Sequence, residues 1–335
     1  MIVAGSAPES IALAARALRS GDLVGLPTET VYGLAADAAS DAAVAKVFAA
    51  KGRPSDHPLI VHVADATGVD YFARDVPDFA RKLIQTFWPG PLTLILKRKP
   101  EVGAAAAGGQ DSIGLRCPAH AVAHEVLLAC RALGVQGVAA PSANQFGRVS
   151  PTTAEHVHEE FGDSLLILDG GACQVGIEST IIDCSRGVPV LLRPGAITRE
   201  QVQLACGLKL LSPDELKEQA PRASGTLESH YAPLATVRLM DASALRTAHQ
   251  LLMQSESGSV PLSSTIAIYS RVNWPILSPQ FLYRAMPVSA VVAAHELFAV
   301  LREFDAQGVK LIWIETPPDF PEWEGVRDRL QRAAA

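Results

Sequence analysis

The stretch KGRPSDHPLIVHV (51–63) joins the end of a predicted helix to a short apolar strand. The segment before it has helical spacing, with Asp41 as a candidate N-cap and Gly52 as a terminator, which predicts a helix over 41–52. The apolar run LIVHV (59–63) predicts a buried strand that carries a single histidine. A helix that leads through a short loop into a buried strand is typical of α/β and α+β domains.

The same alternation continues along the first two thirds of the chain. Apolar spacing and breaker residues predict further helices over 8–20, 77–87, 119–133 and 152–161. Short apolar runs predict strands over 23–26, 92–97, 113–117, 135–140, 165–170, 179–184 and 189–195. LPTETVYGLAADA (26–38) is expected to leave a strand through a tight turn into a helix or loop. Because strands outnumber helices and vary in length, the expected fold class is α/β (α+β), with an open, twisted, mixed sheet flanked by helices.

Two domains are expected, because 335 residues are more than one core usually organises. From residue 206 onwards proline, glycine, serine and charge mix without continuous periodicity, as in a linker. Behind this segment, the pattern predicts strands over 236–240, 264–270 and 310–315 and helices over 242–254, 288–306 and 324–334. The expected division is a first domain over 1–205, a linker over 206–235 and a small Rossmann-like domain over 236–335.

Composition excludes several classes of protein. Hydrophobic residues make up 48% and charged residues 19% of the chain, as in a globular protein with a sizeable core. The net charge of −6 argues against a broad nucleic-acid or membrane footprint, so any anion site must be local. No apolar run approaches the roughly 20 residues that cross a bilayer, and the N-terminus lacks the pattern of a secretory signal. Five widely spaced cysteines without a Cys-x-x-Cys pair favour reduced thiols, and a cytoplasmic protein is expected.

The loop after the helix over 41–52 carries three candidate cations, Lys51, Arg53 and His57. A guanidinium presents five donors in a planar fork that suits phosphate oxygens, and lysine adds a compact charge. Two prolines restrict the loop, which lowers the entropy lost when a ligand orders it. The more specific interpretation of this loop is an anion-binding site, and the alternative is a solvated surface turn. His62, within the next strand, either faces a cleft or is a satisfied core residue.

Other candidate ligand residues lie near the ends of predicted strands, where α/β folds gather ligands. Thr28 and Thr30 offer hydroxyls that bind a polar ligand without adding charge. The remaining candidates are Ser112, Arg116, Ser142, Asn144, Ser150, Ser179 and Arg193. Taken singly, each stretch is also explained by a helix cap, a turn or a surface ion pair.

The usual catalytic motifs are absent from the sequence. It contains no Gly-x-Ser-x-Gly elbow, no Gly-x-x-x-x-Gly-Lys-[Ser/Thr] loop, no His-Glu-x-x-His and no Gly-x-Gly-x-x-Gly after a strand. Cations and hydroxyls at strand ends remain, with no evident side-chain general base. Such a set suits a site that holds phosphates and small anions, where positioning and charge stabilisation supply most of the rate.

Taken together, seven segments strongly resemble the threonylcarbamoyl-AMP synthase family, which has the YrdC-like fold. The segments are PTETVYGL, KGRPSDHPLIVH, FWPGPLTLIL, GLRCP, PSAN-x-FG-x-VSPTTAEHV, GIESTIID and RPGAI. They occur in the family's order from about residue 20 to residue 200. SGTLESHYAPL (224–234) and the α/β unit behind it resemble the longer, two-domain branch of the family.

The resemblance implies a nucleotidyltransferase reaction in which L-threonine, bicarbonate and ATP give threonylcarbamoyl-AMP, pyrophosphate and water. Mg²⁺ would be bound through the ATP phosphates and not by protein side chains. A separate transferase complex would use the product for the N6-threonylcarbamoyl modification of the adenosine next to the tRNA anticodon. No membrane partner is expected, and weak direct contact with RNA stays open.

The resemblance also assigns roles to individual residues. The threonine site would consist of Thr30, His62, Arg116 and Ser179, with Arg116 meeting the carboxylate. The ATP site would consist of Lys51, Arg53, His57, Ser112, Ser142, Asn144, Ser150, Arg193 and Tyr231, and Lys51 and Arg53 would be catalytic. Many family members carry asparagine where this chain has His57. Tyr231, in the linker, would close over the nucleotide like a lid and exclude water from labile intermediates.

Alternatives from other classes are open. One is a double-stranded-RNA-binding or ribosome-associated module of the same fold without synthase activity, against which the net charge of −6 argues. Another is a carbamoyl-transfer domain like that of hydrogenase maturation factors. Those proteins carry zinc-finger segments, whereas this sequence contains no Cys-x-x-Cys pair.

Overall fold

The structure is a computed structural model that describes residues 1–216, 219–227, 229–255, 266–272, 274 and 281–335. The chain forms two compact units. The first comprises Met1–Phe146 with Ser150–Thr226, and the second comprises Gly147–Val149 with Leu227–Ala335. Every site residue expected from the sequence lies in the first unit, apart from Tyr231.

The first unit is built on one mixed sheet. Its strands are β1 (Ile2–Ala4), β2 (Val24–Leu26), β3 (Gly33–Asp37), β4 (Ile60–His62), β5 (Leu92–Lys97), β6 (Ser112–Arg116), β7 (Val138–Ala139), β8 (Leu166–Asp169), β9 (Thr180–Asp183) and β10 (Val190–Arg193). The strand order is β1-β8-β2-β3-β7-β4-β6-β5-β9-β10. Strand β6 pairs in parallel with β4 and antiparallel with β5, and β5 pairs in parallel with β9. The expectation of an open mixed sheet is confirmed.

Helices accompany this sheet, and apolar side chains cover both of its faces. The helices are α1 (Pro8–Arg19), α2 (Asp41–Lys51), α3 (Val69–Phe72), α4 (Asp78–Phe87), α5 (Ala121–Ala132), α6 (Ala154–Phe161) and α7 (Arg199–Cys206). On β3, Leu34 and Ala36 belong to one buried apolar cluster and Ala35 to another. Successive side chains of a strand point to opposite faces, so the sheet lies between two cores.

Helix α2 fixes the start of the basic loop. The Ser40 hydroxyl accepts a hydrogen bond from the Ala43 backbone N–H at 3.3 Å, so Ser40 is the N-cap. The expectation that Asp41 caps the helix is wrong; Asp41 stands in the first turn, where the helix dipole favours its charge. Gly52 ends the helix with φ +62°, a left-handed conformation that glycine adopts without strain. Lys51 is therefore held at a defined helix end.

The segment after β2 forms a hairpin, contrary to the expected turn into a helix or loop. β2 and β3 pair antiparallel, with Val24 opposite Ala35 and Leu26 opposite Gly33. The sequence GLAAD of β3 has weak intrinsic strand preference, but pairing with β2 and β7 and complete burial stabilise it as a strand. The hairpin loop between β2 and β3 carries the Thr-Glu-Thr sequence of the site.

The second unit has its own parallel sheet. Its elements are β11 (Thr236–Met240), α8 (Ala242–Ser255), β12 (Ile266–Ser270), β13 (Phe281–Ala285), α9 (Ala290–Ala306), β14 (Leu311–Glu315) and α10 (Glu324–Ala333). The strand order is β11-β14-β12-β13, and all pairs are parallel. The expected Rossmann-like alternation is thus present, with β13 as an additional edge strand. Residues 264 and 265 of one expected strand lie outside the described residues. Over the described ranges, no helix is long and apolar enough to span a bilayer.

Candidate active site

Arg116 ends strand β6 and directs its guanidinium into a buried polar site. Its Nη1 donates to Thr30 Oγ1 at 2.9 Å, and its Nε donates to the Gly90 carbonyl at 3.3 Å. Its Nη2 lies 2.7 Å from Oε1 of Glu29, with the two side chains only 4% and 6% exposed. The site therefore contains a fixed positive charge beside a fixed negative charge.

Two threonine hydroxyls lie beside Arg116. Thr28 Oγ1 donates to the Val31 carbonyl at 2.6 Å and lies 2.9 Å from Thr30 Oγ1. It also accepts from the backbone N–H groups of Thr30 and Val31, each at 3.2 Å. Thr30 Oγ1 accepts from Arg116 and keeps a lone pair that can accept a hydrogen bond from a ligand.

His62 lies beside this ion pair on strand β4. It is the parallel register partner of Arg116 and is only 3% exposed. Burial, and secondarily the charge of Arg116, holds the pKa of His62 well below its ordinary value of 6.5, so the ring is neutral at pH 7. Its Nδ1 has no hydrogen-bond partner among the described residues. His62 thus lacks the hydrogen bonds of a satisfied core histidine and keeps a ring nitrogen for a ligand.

Lys51 points its ammonium group at two carbonyl oxygens. Nζ donates to the Ser142 carbonyl at 2.7 Å and also to the Asn144 carbonyl. The side chain is fully buried, and burial together with the charge of Arg53 holds the pKa of Lys51 well below its ordinary value of 10.5. Two of three ammonium protons are used, so the third is available to an anion.

Arg53 and His57 lie together at the basic loop. The guanidinium of Arg53 donates from Nε to the His57 carbonyl at 3.3 Å and from Nη2 to the Pro58 carbonyl at 2.9 Å, which ties the loop to itself. Phe146 packs against both side chains, 5.5 Å from the guanidinium carbon and 5.5 Å from the imidazole centroid. Partial burial and the charge of Arg53 lower the pKa of His57. His57 is therefore a largely neutral neighbour of Arg53.

Arg193 donates hydrogen bonds to Ser179, the residue directly before strand β9. Its Nε and Nη2 donate to the Ser179 carbonyl at 3.1 and 2.9 Å, and Nη2 also reaches Ser179 Oγ at 3.2 Å. Ser179 Oγ is 2.7 Å from Thr93 Oγ1 on β5. Because β5 pairs with both β6 and β9, Ser179 and Arg116 are brought to the same region of the sheet. Arg193, which is expected in the ATP site, thus positions Ser179, which is expected in the threonine site.

Part of the expected linker lies over this region of the first unit. Ser224 accepts a hydrogen bond from Arg53 Nη2 at 3.4 Å on its hydroxyl and one from Arg193 Nη1 at 2.9 Å on its carbonyl. Arg222 pairs with Asp56 at 2.6 Å and donates to the Gly108 carbonyl at 3.1 Å. The two arginines expected at the ATP phosphates are therefore linked by oxygens of one residue.

Ser112 lies at the start of β6 and lines a narrow pocket beside Ser224. The walls of the pocket include Ile60, Thr93, Gln110, Ser112, Arg222 and Ser224. Apolar side chains of the sheet and polar groups of the linker both line it.

Ser150 and Glu178 form the acidic part of the site. The Ser150 hydroxyl donates to a carboxylate oxygen of Glu178, and both residues are buried. The charge of Glu178 also raises the pKa of Lys51, although burial lowers this pKa by more. Over the described ranges no group of three or more His, Cys, Asp or Glu side chains could hold a metal.

Tyr231 lies in the second unit and is buried there. Its ring stacks on Phe298 at 5.5 Å, and the guanidinium of Arg329 lies 5.2 Å from its centroid. Its φ of +61° is unusual for a residue other than glycine. The expected action of Tyr231 as a lid stays a prediction.

Four residues that the sequence did not single out have contacts in this site. They are Glu29, Thr93, Glu178 and Ser224. Glu29 and Glu178 are acidic residues inside the recognised segments PTETVYGL and GIESTIID, where a carboxylate among buried positions was an available signal. Thr93 is part of an apolar strand, and its role depends only on what the neighbouring strand brings beside it.

Family models cover almost the whole chain. Residues 16–195 match the model described as "Telomere recombination", and residues 197–335 match "Threonylcarbamoyl-AMP synthase, C-terminal domain". The chain is 38% identical to the threonylcarbamoyl-AMP synthase of Bacillus subtilis, with 97% of this chain and 92% of the relative covered. It is 36% identical to that of Pyrococcus abyssi, with 97% and 94% covered.

Solved structures give the same result. Pyrococcus abyssi Sua5 complexed with L-threonine has a TM-score of 0.86 and 34% sequence identity, over 100% of this chain and 97% of that one. A variant of the same protein also has a TM-score of 0.86. The chain therefore belongs to the threonylcarbamoyl-AMP synthase family, in its two-domain branch.

Proposed function

We propose that this chain is an L-threonylcarbamoyladenylate synthase, which converts L-threonine, bicarbonate and ATP into threonylcarbamoyl-AMP, pyrophosphate and water. The observation that carries the proposal is a group of buried polar atoms at one end of β4 and β6. Both carboxylate oxygens of Glu29, Nη2 of Arg116 and Nδ1 of His62 make no hydrogen bond with described residues. Such atoms are costly to bury unless a ligand satisfies them. Acidic, basic and neutral hydrogen-bonding groups together suit a hydroxylated amino-acid zwitterion.

In the first step the threonine ammonium loses a proton and its nitrogen bonds to the carbon of bicarbonate. Threonine ammonium and bicarbonate give the carbamate, water and one proton. Arg116 and His62 hold threonine, and His62 acts as a neutral hydrogen-bonding group because its pKa lies well below 6.5. Because both reactants are held in a buried site, the bimolecular step becomes effectively unimolecular.

In the second step a carbamate oxygen attacks the α-phosphorus of ATP, and pyrophosphate leaves. Both reactants are anions, so their repulsion must be offset by fixed cations. Lys51, Arg53 and Arg193 are buried cations that donate to backbone carbonyl oxygens, and their charge would act on the phosphates. Positioning by these groups, without a dedicated general base, is the proposed source of the rate.

Mg²⁺ would be held by the ATP phosphates, with the oxygens of Ser150 and Glu178 beside it, and would neutralise phosphate charge. His57, Ser112, Ser142 and Asn144 would surround the nucleotide, and Tyr231 would restrict water access from the linker. The five cysteines are free thiols, as expected in the cytoplasm. There a tRNA threonylcarbamoyl transferase complex would take up the product.

Pyrophosphate release from ATP by the purified full chain tests the proposal. Release should require both threonine and bicarbonate, and mass spectrometry should detect threonylcarbamoyl-AMP. Lys51→Ala and Arg53→Ala should each abolish turnover while the thermal transition is retained. Pyrophosphate release that ignores threonine would overturn the assignment. Full activity in both variants would show that the basic loop does not bind the phosphates.

A further inference from the structure

Glu29 is a buried carboxylate with unused hydrogen-bonding capacity. It stands in the hairpin loop between β2 and β3, and its backbone carbonyl accepts a hydrogen bond from the Val175 N–H at 2.7 Å. Its side chain is 6% exposed. An ionised carboxylate has about four acceptor positions. Neither oxygen of Glu29 accepts a hydrogen bond from a described residue.

The contact with Arg116 balances the charge of Glu29 but does not satisfy these acceptors. Arg116 Nη2 lies 2.7 Å from Oε1, yet this atom also makes no aligned hydrogen bond. The attraction within a buried ion pair offsets the cost of desolvating its two charges only when the remaining donors and acceptors are satisfied. The pair therefore has two unmet requirements, donors for Glu29 and acceptors for Arg116.

The neighbouring side chains are poorly suited to meet the requirement of Glu29. The charges of Glu29 and Arg116 both affect the thiols of Cys117 and Cys173. Mainly because of burial, the pKa values of these thiols are raised to about 11 and about 12. They are neutral and only weak donors. Thr30 Oγ1 accepts from Arg116, lies 2.9 Å from Thr28 Oγ1 and offers a lone pair. The missing element is a cationic donor with several N–H groups.

A bound amino acid supplies both missing elements from adjacent atoms. Its α-carboxylate offers acceptors to Arg116, and its α-ammonium offers three donors, for Glu29 and the free lone pair of Thr30. We propose that Glu29 binds the α-ammonium group of the substrate while Arg116 binds its carboxylate. The pair thereby selects a zwitterion and orients the nitrogen for carbamoylation. This inference rests on the proposed function, since threonine is the amino acid concerned.

Two ligand analogues separate this role from a purely structural one. In (2S,3R)-2,3-dihydroxybutanoate a hydroxyl replaces the ammonium, and in L-threoninol a hydroxymethyl group replaces the carboxylate. Calorimetry on the unsubstituted full chain should give threonine an affinity at least about tenfold higher than dihydroxybutanoate, the worth of a charged hydrogen bond. In Glu29→Gln, threonine binding should fall at least about tenfold while dihydroxybutanoate binding stays within about twofold, so the preference disappears.

Controls define what would overturn the inference. Glu29→Asp keeps the charge and should retain part of the preference, and Glu125→Gln, on the exposed face of α5, should retain all of it. If Glu29→Gln weakened both ligands equally, Glu29 would only position Arg116 and the inference would be wrong. An unchanged preference would also refute it. Should Glu29→Gln not fold, equal affinity of the unsubstituted chain for threonine and dihydroxybutanoate would refute it, and stronger threoninol than dihydroxybutanoate binding would support it.

The proposed function and this inference fail in different ways. If the unsubstituted chain binds no threonine and releases no threonine-dependent pyrophosphate, the proposed function itself is wrong. If it does both but the preference for an ammonium group does not depend on Glu29, only the role of Glu29 is wrong.

Discussion

His62 and Arg116 are register partners on the parallel strands β4 and β6, so an imidazole and a guanidinium lie side by side in a buried site. One consequence concerns charge. The imidazole is neutral because burial and the adjacent cation both oppose its protonation. A site of this kind offers one permanent cation and one neutral hydrogen-bonding ring to its ligand.

We therefore expect stability to fall in acid through His62. Its pKa in the folded chain lies well below 6.5, so below about pH 6.5 the unfolded chain binds a proton that the folded chain does not. Stability attributable to His62 rises with pH in that window, by at most about 1.4 kcal/mol per pH unit. Urea unfolding at several pH values should show a flatter slope for His62→Gln. The exposed His295→Gln should match the unsubstituted chain, and equal slopes in all three would contradict the prediction.

The ion pair between Glu29 and Arg116 should show strong coupling. Arg116→Met leaves a buried carboxylate without its counter-charge, which costs about 3–5 kcal/mol. The double variant with Glu29→Gln removes both charges and should be more stable than Arg116→Met alone. A double-mutant cycle in urea measures this. Strict additivity of the two substitutions would mean that the pair is not coupled.

Lys51 should make ATP binding sensitive to alkaline pH. Burial and Arg53 hold the pKa of Lys51 in the free chain well below 10.5, and phosphates bind its protonated form. ATP affinity should therefore fall with rising pH well before pH 10.5, at lower pH than for an ordinary lysine. Arg cannot lose its proton in this range, so Lys51→Arg should remove the decline. An identical pH profile for Lys51→Arg would exclude Lys51 as its cause.

Arg193 should not be replaceable by lysine. Its fork gives two hydrogen bonds to the Ser179 carbonyl and one to the Ser224 carbonyl, and a single ammonium does not reproduce this geometry. We expect Arg193→Lys to lower pyrophosphate release at least about tenfold, the loss of one charged hydrogen bond. The exposed Arg81→Lys serves as the matched control. Full activity of Arg193→Lys would show that its charge alone suffices.

Gly195 should be required for stability, because it lets the segment after β10 approach β9 closely. A Cβ at this position would lie 2.5 Å from the Thr180 backbone nitrogen and 2.8 Å from the Glu178 carbonyl oxygen. Gly195→Ala should cost about 1–3 kcal/mol, as overpacking does. Gly114→Ala, whose nearest contact would be Thr93 Cγ2 at 3.5 Å, should cost less. Equal thermal shifts for the two variants would show that the close approach is not limiting.

Much of the fold follows from local sequence signals. The strand over 92–97 and the helix start at Ala242 are where apolar spacing placed them, since burial periodicity and breakers are local properties. The strand at Gly33–Asp37 was missed, because an alanine-rich segment becomes a strand only through its neighbours β2 and β7. The strand at Phe281–Ala285 was missed too, and its place is set by parallel pairing with β12.

For the site, local sequence predicts which cations and hydroxyls stand near strand ends, Lys51, Arg53 and Arg116 among them. The partners of these side chains depend on tertiary structure. Thr30 contacts Arg116 across 86 residues of chain, and Ser224 links Arg53 to Arg193 across 171 and 31 residues. Strand pairing sets such contacts and burial sets the resulting pKa values. Both depend on residues distant in sequence, so no local pattern contains them.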